Sequence, residues 1–177
     1  MTIKQKQCLL AYLGFYAGGL DGVWGTLSKA AEAAFRGAYG LSGEALEEAL
    51  LGAVAGEISP CDPWDGVKYF RKEEVRCNCG GKYCGGFPAR VDPLLLELAD
   101  QVREHFGAPA IVSSGLRCPV HNKNVGGAAA SRHMSGKAMD FRIQGKGSAQ
   151  VLEFVKELPQ VRYTYAIDGC FVHMDVV

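Results

Sequence analysis

The sequence carries no excess charge of either sign and no apolar run of membrane-spanning length. Lys plus Arg balance Asp plus Glu at 19 each, a formal net charge of zero. That argues against nucleic acid as a partner, which calls for a concentrated basic face. No stretch approaches the ~20 apolar residues of a transmembrane helix, so membrane insertion is not expected. The start, Met1-Thr-Ile-Lys-Gln-Lys-Gln7, leads into no apolar stretch of signal-peptide length. Low-complexity tracts and long repeat arrays are also missing. Histidine is scarce, with four in 177 residues.

What is present divides the chain in two. The segment Glu57-Ile-Ser-Pro-Cys-Asp-Pro-Trp-Asp-Gly66 breaks any helix with proline and glycine. We therefore expect domains over 1–57 and 67–177 joined by a linker over 58–66. Helical spacing before the linker predicts three helices, Ile3–Leu13, Gly25–Tyr39 and Gly43–Val54. Their apolar stripes are Cys8, Leu9, Tyr12 and Leu13, then Leu27, Ala30, Ala31, Ala34 and Phe35. The turn Gly14–Gly25 permits positive φ, Thr26 can cap the second helix, and Trp24 reads as core.

After the linker, Asp92 and Pro93 open a helix that Gly107 closes, with Leu94, Leu95, Leu98, Val102 and Phe106 as its stripe. Strand-like runs follow at Ala110–Ser113, Ala138–Ile143, Arg162–Ile167 and Phe171–Val176, with a helix at Ser148–Leu158. The fold class expected is α+β: a small all-α three-helix domain, then an α+β domain with a central antiparallel sheet.

The richest stretch is Ser131-Arg-His133-Met-Ser-Gly-Lys-Ala-Met-Asp140, answered by Phe171-Val-His173-Met-Asp175. A lone histidine is more often a core or surface residue than a ligand. Two histidines and a carboxylate on two strands and a loop, however, suffice for one zinc ion with a fourth position open to water, the hallmark of a catalytic site. Zinc lowers the pKa of bound water from 15.7 to about 7. His133, Asp140 and His173 are thus the candidate metal ligands of a zinc hydrolase.

The pattern Ser113-Ser-Gly-Leu-Arg117-Cys-Pro…Ser131-x-His133-x6-Asp140, followed by a distant His before a short hydrophobic strand, resembles the zinc D-Ala-D-Ala carboxypeptidases. Their superfamily includes phage endolysins, D,D-dipeptidases and the hedgehog signalling domain. The resemblance covers residues 67–177 and implies a zinc peptidase cutting peptidoglycan stem peptides, as carboxypeptidase or endopeptidase. It implies that Arg117, sixteen residues before His133, binds a substrate carboxylate or oxyanion, and that Ser131 binds substrate or supports the site. On the residues alone, Arg117 reads as a surface turn residue and Ser131 as a loop serine.

One departure stands out. Many relatives carry Glu or His three residues before the last ligand, as general base; here that position is Cys170. Asp175 and Asp168 are the substitutes, with Asp175 more simply read as orienting a ligand imidazole.

The first domain resembles the peptidoglycan-binding three-helix family through Tyr16, Gly19, Asp21-Gly22, Gly25, Ser28, Phe35 and Gly40-Leu41. Arg36 stands where that family has glutamine. The resemblance implies binding to bacterial peptidoglycan by a monomer. With no visible export signal, a phage or prophage lysin made in the cytoplasm and released through a holin is the setting implied.

Seven cysteines are present, at 8, 61, 77, 79, 84, 118 and 170. Cys77, Cys79, Cys84 and Cys118 could form disulfides, stay free or hold a structural metal, for which C-x-C is off pattern. Relatives carry cysteines at comparable places, and a disulfide from the cluster to Cys118 is the expectation. Two other functions stay open. One is a non-catalytic wall-binding or structural protein that retains the zinc site; the other is a zinc amidase of unrelated fold, disfavoured by the ligand spacing.

Overall fold

A computed structural model describes all 177 residues. The chain divides into two compact units, Met1–Asp62 and Pro63–Val177.

The first unit holds α1 (Ile3–Tyr12), α2 (Thr26–Tyr39) and α3 (Leu46–Ala55). Thr2 and Gln5 close a capping box at the start of α1. Contrary to expectation, Thr26 is not a cap. Gly25 takes the N-cap place with extended backbone and no side-chain bond, and Thr26 is already helical. Leu10, Tyr16, Ala31, Phe35, Ala49 and Leu50 form the core, with Trp24 half-buried against it.

The expected stripe on α1 is out of phase: Cys8 and Tyr12 are exposed, whereas Gln7 and Leu10 are fully buried. The cause is a polar interior. Gln7 Nε2 lies 2.8 Å from Asp21 Oδ1, 3.0 Å from the Val23 carbonyl, 3.1 Å from Ser28 Oγ and 3.2 Å from Tyr16 Oη. Its Oε1 accepts from the Gly22 amide at 3.0 Å. A buried amide needs such partners.

The second unit runs α4 (Pro93–Phe106), β1 (Ala110–Ser114), α5 (Pro119–Asn124), β2 (Ala138–Ile143), α6 (Ser148–Glu157), β3 (Val161–Ile167) and β4 (Phe171–Val176), with short 3-10 turns at Lys72–Val75 and Arg132–Ser135. Asp92 Oδ1 accepts from the Leu94 amide at 3.0 Å to start α4, and Gly107 ends it in the left-handed region. The four strands form one sheet in the order β1-β2-β4-β3, every neighbouring pair antiparallel. The fold class is α+β.

Side chains alternate across the sheet. Met139, Phe141 and Ile143 of β2, and Val172, Met174 and Val176 of β4, join Leu95, Leu96, Leu98 and Val102 of α4 and Val151 and Val155 of α6 in the core. Leu96 is fully buried though it lay off the expected stripe, while Leu94 and Phe106 are half-buried. Each such buried aliphatic contributes about 1.5–3 kcal/mol. With one face committed to the helices, the other is left for Asp140, His173 and Asp175.

Candidate metal centre

Strand register builds the site. Asp140 pairs with His173 across β2–β4, and His173 pairs with Tyr165 across β4–β3. On the far side Ser114 pairs with Asp140, after a register shift between Val112 and Ser114. That irregularity turns Ser114 onto the same face, as bulges beside functional sites do. Ser114, Asp140, His173 and Tyr165 therefore form one row across all four strands. A second row, Ala138, Asp175 and Tyr163, lies two residues along.

His133 comes from the 3-10 turn over this face. Its Nδ1 is 2.6 Å from the Gly115 carbonyl; only an N–H can bond there, so in the neutral imidazole Nε2 keeps its lone pair. Nε2 lies 3.3 Å from Asp140 Oδ1, and His173 Nδ1 lies 2.7 Å from the same oxygen. All three side chains are buried, and their ligand atoms lie within 4.8 Å of one another. Tetrahedral zinc with bonds of about 2.0–2.2 Å sets its donors roughly 3.3–3.5 Å apart. The His–Asp–His set fits that ion in donor type; the His133–Asp140 separation already matches, and the His173–Asp140 contact would open slightly.

Two close approaches fix the loops. A Cβ at Gly115 would collide with the Val75 carbonyl, and one at Gly136, whose φ is +73°, with the Arg90 carbonyl. Both positions need glycine, and both flank His133 or the carbonyl that orients it.

The other expected site residues are dispersed. Arg117 Nη2 donates to Asp140 Oδ2 at 2.6 Å and its Nε to Ser114 Oγ at 2.8 Å. Its guanidinium thus grips the oxygen of Asp140 that faces away from the histidines. Asp175 is 2 % exposed. Arg162 grips both its oxygens, at 2.9 and 2.7 Å, and Oδ2 lies 3.6 Å from His173 Nε2. Ser131 is half-buried at the N-cap of the 3-10 turn and makes no side-chain cap bond. Asp168 and Cys170 are exposed at the β3–β4 turn, where Asp168 has φ +48°.

Burial raises the Asp140 carboxyl, but the hydrogen bonds and charges of His133 and His173 outweigh it and hold the group well below the ordinary carboxylate range. Partial burial, and then the Asp140 charge, push Tyr165 above the usual tyrosine value. The Tyr165 ring lies 4.9 Å from that of His173 and 5.5 Å from that of Tyr163. Sequence reasoning missed Ser114, Arg162 and the two tyrosines. The alternation Tyr163-x-Tyr165 on a half-exposed strand was the signal available.

The expected disulfide is not formed. None of the seven cysteines is in a disulfide. Cys77, Cys79, Cys84 and Cys118 instead converge as a group, every sulfur within 4.8 Å of the others.

Comparison with known proteins places these features. The sequence profile described as Peptidase M15 matches residues 68–175. Over 135 residues, 72% of this chain and 51% of the relative, the sequence is 33% identical to the zinc D-Ala-D-Ala carboxypeptidase of Streptomyces albus G. The chain thus spans about half the length of that curated relative.

Proposed function

From the premise that the chain belongs to the Peptidase M15 family, we propose that it is a zinc-dependent peptidase hydrolysing peptidoglycan stem peptides, as a D,D-carboxypeptidase or endopeptidase. The observation that carries this is the convergence of buried His133 Nε2, Asp140 Oδ1 and His173 Nδ1 on one sheet face. Three protein donors leave a position for water or substrate.

When bound, zinc would polarise the scissile carbonyl and make a water acidic enough to attack it at neutral pH. The protein's own groups do the rest. Gly115 fixes the His133 tautomer through its carbonyl. Arg117 steadies Asp140 and supplies the positive charge beside the site at which a terminal carboxylate or oxyanion is held. Asp175, locked by Arg162, orients His173 rather than accepting a proton. Ser131 at the edge of the site donates to the peptide. Tyr163 and Tyr165 give the substrate an aromatic wall. Asp168, exposed at its turn, is given no proton transfer here, although the sequence offered it as a base.

The first unit we assign to wall binding. Its Tyr16, Asp21, Gly22 and Ser28 serve the Gln7 network, so they support the resemblance of fold and leave wall contact to other residues. Binding to the polymer would raise the effective concentration of the peptidase at neighbouring peptides. A phage or prophage lysin fits this arrangement.

Purified muropeptides ending in D-Ala-D-Ala, incubated with metal-free and zinc-loaded protein and read by mass spectrometry, test the proposal. Loss of one D-Ala with zinc only identifies a carboxypeptidase; cleavage within the stem or cross-bridge identifies an endopeptidase. Intact peptides with zinc bound would leave a wall-binding protein with a silent site, the alternative that Cys170 at the usual base position keeps in view.

A further inference from the structure

We propose that Cys77, Cys79, Cys84 and Cys118 form a second metal site, a closed tetrathiolate that takes one zinc ion and serves structure rather than catalysis. Four cysteine sulfurs lie within 4.8 Å of one another. Cys79 and Cys84 approach to 3.5 Å, far beyond the 2.03–2.05 Å of a disulfide bond. Zinc–sulfur bonds of about 2.3 Å in a tetrahedron set the sulfurs roughly 3.8 Å apart. The cluster already stands near that spacing.

Backbone donors converge on the same sulfurs. The Cys118 amide donates to Cys77 Sγ at 3.3 Å, the His121 amide to Cys118 Sγ at 3.4 Å and the Gly86 amide to Cys84 Sγ at 3.4 Å. Amide donors to sulfur favour the thiolate, the form that binds metal. Ion binding would displace the thiol protons to solvent, up to four for one zinc, leaving a site of formal charge −2.

The loop geometry shows why the ligand spacing looked wrong in sequence. Residues 76–92 contain no helix or strand. Gly80, Gly81 and Gly86 have φ of +64°, +81° and +99°, and these turns fold the C-x-C-x4-C segment back on itself. Ordering backbone costs conformational entropy at every residue, and this loop has few ladder bonds to offset that. Metal binding at a structural zinc site is coupled to folding and would offset that cost.

The site also braces the active face. Cys118 directly follows Arg117, and the Leu116 amide donates to the Val75 carbonyl at 2.8 Å, two residues before Cys77. Gly115, pressed on Val75, presents the carbonyl that orients His133. Clamping Cys77 to Cys118 therefore holds in place both the carbonyl behind His133 and the backbone carrying Arg117.

Metal analysis of full-length protein purified from zinc-supplemented cells without chelator decides the matter. We expect two zinc ions per chain in the wild type. A His133→Ala/His173→Ala variant should keep one, and a Cys79→Ser/Cys84→Ser variant should lose one. Cobalt-substituted wild-type protein should show strong near-ultraviolet thiolate-to-cobalt charge transfer that persists in the histidine variant. That spectrum remains decisive even if the cysteine variant fails to fold. A cysteine-bound ion without hydrolysis would leave this proposal standing and sink only the peptidase reading. One zinc per chain with no thiolate bands would overturn it, as would an intact mass short by two hydrogens for each cysteine bridge.

Discussion

Each of the two units buries a polar hub, and the hubs differ in what they leave over. In the first, the Gln7 amide is consumed by its own fold: Tyr16, Asp21, Val23, Ser28 and Gly22 take up its hydrogen-bonding capacity. In the second, Asp140 is a charged hub whose partners are two imidazoles and a guanidinium. Gly115 occupies one nitrogen of His133, and Asp175 lies 3.6 Å from one nitrogen of His173. The other nitrogens aim at a common point with Asp140 Oδ1. A saturated network fixes a fold, whereas one with convergent lone pairs invites an ion.

Breaking the hubs separately sharpens that contrast. The largest effect expected is from His133→Ala, which should take stem-peptide hydrolysis to background. It should also remove the zinc ion held by the His–Asp–His site, as read by metal analysis beside the wild type. Asp175→Asn comes next. It removes the charge of the carboxylate proposed to orient His173 and should lower zinc affinity at that site by about 10–100-fold, measured by chelator competition. Unchanged affinity would assign Asp175 to the Arg162 pair alone.

Gln7→Ala should act on the other unit only. Orphaning its buried partners should destabilise the first unit by roughly 2 kcal/mol, read as a shifted denaturation midpoint. Cleavage of small soluble muropeptides should stay at the wild-type rate.

The smallest effect concerns pH. In metal-free protein the folded Asp140 pKa is depressed below its unfolded value, so the unfolded state binds more protons in acid. The stability contributed by Asp140 is fully present above about pH 4. It should be lost as pH falls below that value toward the folded pKa, where the carboxylate would finally protonate. Denaturant titration of metal-free protein across this range should show a slope that Asp140→Asn flattens.

The legible parts of the sequence were those where local chemistry agrees with the final environment. Asp92-Pro93 and Gly107 bound α4 because cap, first turn and left-handed stop are local events. The alternating apolar runs gave β2 and β4 with the bounds observed. His133, Asp140 and His173 stood out as a set, and the structure brings them together.

What could not be read depended on distant partners. Gln7 looks like a surface residue until the Asp21–Ser28 turn closes over it, which shifted the inferred face of α1. Ser114 faces Asp140 only because of the register shift in β1. Arg117 was expected to face substrate, yet its fork holds Asp140, a contact no local pattern encodes. The four cysteines share no standard ligand spacing, since left-handed glycines and a segment more than 30 residues away bring them together.

The central claim, that the convergent hub is a catalytic zinc site, is tested most directly by titrating zinc into metal-free protein while following hydrolysis of a stem peptide ending in D-Ala-D-Ala. The histidine-dependent binding step should coincide with the appearance of activity. Should that site fill with zinc, reported by its loss in His133→Ala, while the peptide remains whole, the catalytic assignment would be contradicted.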